Sequence, residues 1–263
     1  MNAVHLFDST AAEASIEIPQ TGQGFRSRPA GPTSSLFLAS LPQVSLQALF
    51  PHLKRVTLPR GLTVMEPDKP IHTVYFPETG VFSQVIRLSD GSAVEVNLVG
   101  REGMAGLAVY LGAASSPLEV STLIPGRFLS IPAGEFAARV ALDQALLQRL
   151  HMYTQAVLSV RACSVACYRL HPVEARLVRW LLKMHDRVTG DTFVLTQESL
   201  ALMLGVARPS VTVNALTLQR AGFIQYQRGH IRILNRPGLE AAACECYWIV
   251  RREFDRLLGG TTG

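Results

Sequence analysis

Apolar and polar residues alternate with a two-residue period through much of the stretch from Leu53 to Ile131, the signature of half-buried strands. The alternation is clearest over residues 53–58, 62–65 and 73–76. Residues 81–88 and 93–98 flank Ser89-Asp90-Gly91-Ser92, and Asp-Gly between two such runs predicts a hairpin. Residues 119–124 and 127–131 add two strands around Pro125-Gly126. Short strands in this number, separated by turn residues, predict a β-sandwich, barrel or roll. A short helical segment precedes them, interrupted at Pro42 and stopped by Pro51.

After Gly134 no proline or glycine occurs through Tyr168, and the apolar period becomes helical. Leu146, Leu150, Tyr153, Val157, Val160, Ser164 and Cys167 recur at alternating spacings of four and three, a narrow heptad seam. A seam of this width suits one partner helix, as in a homodimer; the alternative is packing on the chain's own β domain. His171 precedes Pro172, which disfavours helix, so His171 reads as a hinge. A further helix follows from about Val173 to Arg187, with Leu177, Trp180, Leu181 and Met184 on one face.

The most specific pattern lies between Val194 and Ile233. Thr196 can cap a short helix over residues 197–204, and Gly205 suits its left-handed stop. Pro209 is tolerated in the first turn of a second helix, residues 208–220, whose buried stripe is Val211, Ala215 and Leu218. Two short strands then surround Arg228-Gly229-His230. Helix, tight turn, helix and basic-tipped hairpin make a winged helix-turn-helix. Arg208, Ser210, Thr212, Val213, Asn214 and Thr217 lie off the buried stripe and are the expected base and phosphate readers of double-stranded DNA. Gln197 can reach a phosphate, and Arg228 and His230 at the wing tip would lie near the backbone.

Charge sharpens this expectation. The 263 residues carry 25 basic and 20 acidic groups, a net +5, and 48% are hydrophobic, which excludes a disordered chain. Residues 1–140 hold 10 basic and 11 acidic groups, residues 141–263 hold 15 and 9. No acidic residue occurs from Ser199 to Leu239, where Arg208, Arg220, Arg228, Arg232 and Arg236 fall. Such a one-sign stretch is a phosphate-facing candidate. No apolar run is long enough to span a bilayer and no secretion signal is evident, so a cytoplasmic protein without membrane partners is expected.

The order of β domain, long helix and winged helix resembles the cyclic-AMP-receptor/FNR (Crp/Fnr) superfamily of bacterial transcription regulators. The resemblance rests on Leu195 to Val213, on Val74-Tyr75-Phe76-Pro77-Glu78-Thr79-Gly80, and on Gly100-Arg101-Glu102-Gly103-Met104-Ala105-Gly106. It covers about Leu41 to Leu234 and implies an α+β fold: a β-roll of the cyclic-nucleotide-binding type (36–133), a dimerisation helix and hinge (134–170), and a winged helix-turn-helix with tail (171–263), while residues 1–35, which lack periodicity, are expected to be a mobile extension. It further implies a homodimer on a pseudo-palindromic operator. Activation would need an RNA polymerase contact. Pro209 and Val213 stand where the family usually reads bases with Glu and Arg, so a different operator is expected. The competing expectation is a ligand-binding regulatory module that acts on a protein partner.

No cofactor or metal is expected. The first cysteine is Cys163, so the family's N-terminal iron–sulfur cluster has no ligands, and His52 and His72 stand alone. Cys244 and Cys246 have no Cys or His pattern nearby in sequence. Cys167 on the seam either packs in a core or faces its mate, where an intersubunit disulfide is conceivable. No Ser/His/Asp set, metal spacing or phosphate loop points to an enzyme. The effector is undetermined, but the pairs Gly103-Met104 and Gly106-Leu107 lack the family's Glu, and residues 111–119 lack its Arg. Titration with cyclic AMP should therefore show no binding in the micromolar range; saturable micromolar binding would overturn this expectation.

Overall fold

The structure, a computed structural model, describes residues 31–259. Residues 1–30 of the expected extension lie outside the described residues. The chain is docked before residue 36: Thr33 and Ser35 are buried, and Thr33 donates to Glu78 Oε1 at 3.2 Å. Ser35 caps α1 (Leu36–Ala39), and α2 (Gln43–Leu49) follows Pro42. Phe37 and Leu38 of α1 are buried beneath the roll.

The roll consists of β1 (Lys54–Leu58), β2 (Thr63–Met65), β3 (Thr73–Pro77), β4 (Val81–Arg87), β5 (Ala93–Val99), a short α3 (Leu107–Tyr110), β6 (Glu119–Ile124) and β7 (Gly126–Pro132). Two antiparallel sheets form, in the orders β1-β7-β3 and β2-β6-β4-β5. Met65, Phe82, Val99, Val120 and Phe128 fill the space between them, with Phe82 and Phe128 ring centroids 4.4 Å apart. The predicted Asp-Gly hairpin joins β4 to β5, with Gly91 at φ +84°.

The expected single helix after the roll is two: α4 (Ala133–Leu142) and α5 (Gln144–Leu170). Asp143 separates them in an extended conformation. Its carboxylate accepts from the N–H groups of Ala145 and Leu146, restarting the helix as an N-cap.

The seam on α5 faces inward. Leu146, Leu150, Tyr153, Val157, Val160, Ser164 and Cys167 are all at least 94% buried within one chain. They cannot be the surface on which two copies meet, so the dimer reading of these seven residues is corrected. Tyr153 packs edge-on against Phe37, and its hydroxyl meets the backbone of Met104. The rest of the stripe is covered by an element with no counterpart in the sequence reading, the tail helix.

The C-terminal region contains α6 (Val173–His185), β8 (Thr192–Val194), α7 (Gln197–Leu204), α8 (Arg208–Arg220), β9 (Ile224–Gln227), β10 (His230–Ile233), α9 (Arg236–Ala241) and α10 (Glu245–Leu258). The tail helix α10 leaves the winged helix and runs antiparallel along α5. Cys244 lies beside Cys167, Glu253 beside Ser159, and the last carbonyls of α10 accept from Arg149. Val250 and Phe254 are buried in the α5 core, with Leu257 and Leu258 packed against it. Among the described residues no single helix is long and apolar enough to cross a membrane.

Charged groups also dock the C-terminal domain on the roll. Arg187 donates from Nε and Nη2 to Glu102 Oε1 at 2.8 and 2.7 Å, with both side chains nearly inaccessible. Glu95 on β5 accepts from Ser83 and from the Trp180 indole. Burial pushes the Glu95 carboxyl up, and burial together with Arg179 draws Lys183 down to about 7. Removing one member of a buried ion pair strands the other charge. Arg187→Met should therefore cost about 3–5 kcal/mol in urea unfolding, and adding Glu102→Gln should recover part of that loss.

Candidate nucleic-acid interface

The two helices of the motif form where the local chemistry requires them. Thr196 Oγ1 accepts from Ser199 N and starts α7. Gly205 ends it at φ +60°, a backbone conformation that glycine adopts without a Cβ penalty. Ala207 is extended and Pro209 occupies the first turn of α8. α7 and α8 meet at a bend of 105°, within the range of a helix-turn-helix. Val211, Ala215 and Leu218 are buried as expected and hold α8 on a core that includes Leu177, Leu181 and Leu200.

The opposite face of α8 is open. Arg208, Val213 and Thr217 are exposed; Ser210, Thr212 and Asn214 are half-buried. Several of these polar groups are engaged at home. Thr212 donates to Gln197 Oε1 at 2.8 Å, Asn214 to the Ser210 carbonyl at 2.7 Å, and Thr217 to the Val213 carbonyl at 3.2 Å. The Asn214 amide spends one N–H on this bond and keeps its second N–H and its Oδ1 for other partners. Val213, 64% exposed, offers an apolar surface such as a thymine methyl would fill.

The wing is a three-stranded sheet, order β8-β10-β9, rather than a simple hairpin. Its tip is a two-residue turn with positive φ at both Arg228 (+49°) and Gly229 (+79°), the geometry favoured between tightly paired strands. Arg228 at this tip is exposed. His230 beside it is exposed, and its Nδ1 lies 3.3 Å from the Arg228 carbonyl.

Two charge assignments change in the folded chain. Arg208 is paired with Glu198 at 2.8 Å across the turn, so an acidic group borders the recognition helix just before the acid-free stretch begins. A bond from its own backbone N–H and the nearby Arg208 hold the Glu198 carboxyl below the usual carboxylate range. Arg236 does not face a phosphate. It is mostly buried and bonds Asp186, Glu240 and the Tyr247 hydroxyl. Arg208, Arg220, Arg228 and Arg232 remain exposed or half-exposed.

With this geometry in place, the domain can be compared with known proteins. Residues 175–242 match the family model of the Crp-like helix-turn-helix domain. Residues 175–242 are thus a Crp-like helix-turn-helix domain, and the chain as a whole shares its fold with solved structures. FixK2 from Bradyrhizobium japonicum is similar in fold at 17% identity and TM-score 0.63, over 73% of this chain and 98% of that one. The c-di-GMP-responsive global regulator CLP from Xanthomonas campestris is 16% identical at TM-score 0.59, over 74% and 100%. A CRP-family transcriptional regulator from Thermus thermophilus is 21% identical at TM-score 0.60, over 72% and 96%. No curated protein matches the sequence.

Two further places bear on function. A cavity of about 390 Å³ opens on the roll between Gln84, Gly106, Ser116 and α5. Arg161 of α5 is the charged side chain on its wall. At the far end of α5 the fold gathers Cys167, His171, Cys244 and Cys246. This corrects the expectation that Cys244 and Cys246 lack partners, because those partners are 73 or more positions away in sequence. It also removes Cys167 from any intersubunit contact, since its thiol is buried against Cys244. Their hydrogen bond draws the Cys244 thiol down to about 6 and holds Cys167 up.

Arg208→Ala should weaken DNA binding by about 1–3 kcal/mol and relax the base preference opposite it. Arg228→Ala should instead weaken binding evenly across sequences and reduce the salt slope by about 1. Fluorescence anisotropy on matched duplexes at several salt concentrations separates the two outcomes.

Proposed function

We propose that this protein is a cytoplasmic, homodimeric transcription regulator that binds a pseudo-palindromic operator through Gln197, Arg208, Ser210, Thr212, Val213, Asn214 and Thr217, with Arg228 and His230 on the backbone. The observation that carries the reading is the open, acid-poor face of α8 beside a wing tipped by Arg228. The arginines left at the surface of the same domain support phosphate contact. A dimer places two such helices about one DNA turn apart, which a two-fold operator matches.

The dimer face is assigned to the solvent side of α5. His151, Gln155, Leu158, Ala162, Val165 and Arg169 recur at alternating spacings of four and three, and all are exposed. Leu158 and Val165 are 53% and 70% exposed, which is costly for aliphatic side chains left in water. This seam lies one to two positions beyond the buried one at each turn, with Leu158, Ala162 and Val165 as an apolar centre between the polar His151, Gln155 and Arg169. The roll cavity is the proposed effector pocket, and a cyclic nucleotide held in the family's usual mode is not its occupant.

The test is selection of genomic fragments by the purified chain, followed by affinity measurement over a range of salt. A steep loss of affinity with salt and a two-fold symmetric site are expected. Absent or salt-independent binding would overturn the reading in favour of action on a protein partner. Sedimentation should give a dimer that Leu158→Glu with Val165→Glu converts to monomer. A double variant that stays dimeric would move the interface elsewhere.

A further inference from the structure

The last turn of α5 and the start of α10 meet because the two helices run antiparallel. Cys167 and His171 are four residues apart, so they share one face at the end of α5. Cys244 is the N-cap of α10 and Cys246 lies in its first turn. One donor atom from each of the four residues lies within 4.8 Å of the other three. Cys167 Sγ is 3.8 Å from Cys244 Sγ, and Cys246 Sγ is 3.6 Å from His171 Nδ1.

The two short separations match edges of a coordination tetrahedron, and the other four lie within 4.8 Å. Metal–sulfur bonds of about 2.3 Å and metal–nitrogen bonds of about 2.0–2.1 Å put S···S edges at about 3.8 Å and S···N edges at about 3.6 Å. A disulfide would need sulfurs about 2.05 Å apart. A four-iron cluster would hold its ligands farther apart, around a larger body.

Two surrounding groups point the same way. His171 Nε2 faces Glu245 Oε2 at 3.4 Å, which orients the ring with Nδ1 toward the sulfurs, as a carboxylate does behind a metal-bound histidine. Arg179 is buried, its Nε has no hydrogen-bond partner, and its charge acts on Cys167, Cys244 and Cys246. Three thiolates around a divalent cation leave one net negative charge for that guanidinium to balance.

We propose that Cys167, His171, Cys244 and Cys246 bind one zinc ion as a closed structural site that clasps the tail helix α10 to the end of α5. The neutral imidazole and three thiolates fill all four positions, so the site holds the fold and leaves no open position for substrate. On binding, the three thiol protons pass to solvent and no electron is transferred. The clasp sits at the hinge formed by His171 and Pro172, directly before α6. It therefore ties the angle of the DNA-binding domain to the dimer helix.

Full-length protein purified with reductant should contain about one zinc per chain by elemental mass spectrometry. Cobalt in its place should show the ligand-field bands of a tetrahedral site and thiolate-to-cobalt charge transfer. Cys244→Ser with Cys246→Ser should abolish both, Cys163→Ser should change neither, and Glu245→Gln should weaken metal binding about 10–100-fold. Alkylation of the wild-type chain at Cys244, the half-buried thiol of the set, gives a readout that does not depend on variants folding: zinc should shield Cys244 but not the half-buried Cys163, and a chelator should expose it. Three results would each overturn the proposal: no zinc or cobalt uptake by the reduced chain, equal alkylation with and without zinc, or a Cys167–Cys244 disulfide as the metal-free resting state under reductant.

Discussion

Burial of one face of α5 is the constraint on which the rest of the structure depends. A 27-residue helix with an apolar stripe cannot stand in water, and three separate parts of the chain cover it. The N-terminal helices and the roll cover its first half through Phe37, Met104 and Tyr153. The tail helix covers it from the other side through Val250 and Phe254. Because this face is satisfied within one chain, the apolar residues left on the opposite face, Leu158 and Val165, remain exposed.

The helix-turn-helix is attached to this platform by charge as well as apolar contact. Glu102 and Arg187 form a nearly inaccessible pair, and Glu95 sits among Ser83, Trp180 and the field of Lys183. Buried charges contribute little net stability, since desolvation offsets their attraction, but they tolerate only a narrow range of geometries. They fix how the C-terminal domain sits on the roll more than how strongly it is held. Tyr168, at the end of α5, adds a bond from its hydroxyl to carbonyls of both β5 and α7, joining sensor-like roll, long helix and reading domain at one residue.

The recognition face shows how local chemistry is reused. Arg208 rests on Glu198, and Thr212 on Gln197, so the groups proposed to face DNA are already engaged within the chain. Binding must exchange these contacts for new ones, which lowers non-specific affinity and favours sites that repay the exchange. The cysteine–histidine cluster lies where α5 ends, off the recognition face of α8. It sits where α5 yields to α6, so a change there would be felt by the orientation of α8 rather than by its chemistry.

The sequence by itself determined most elements whose signal is local, though not the Asp143 cap that splits α4 from α5 nor the amphipathic α10. The roll strands, the Asp-Gly hairpin, the Thr196 cap, the Gly205 stop and the span of α8 follow from period, capping and turn chemistry within a few residues. The buried stripe of α5 was equally legible, because a heptad spacing is visible along the chain. What covers that stripe was not, since a helix records which face is apolar but not what lies against it. The tertiary structure alone decided that the cover is α10, that Arg236 is buried among Asp186 and Glu240, and that Glu198 answers Arg208. It also decided that Cys167 and His171 meet Cys244 and Cys246. Each of these depends on the path of the chain between distant positions, and spacing carries no record of that path once the elements are more than a turn apart.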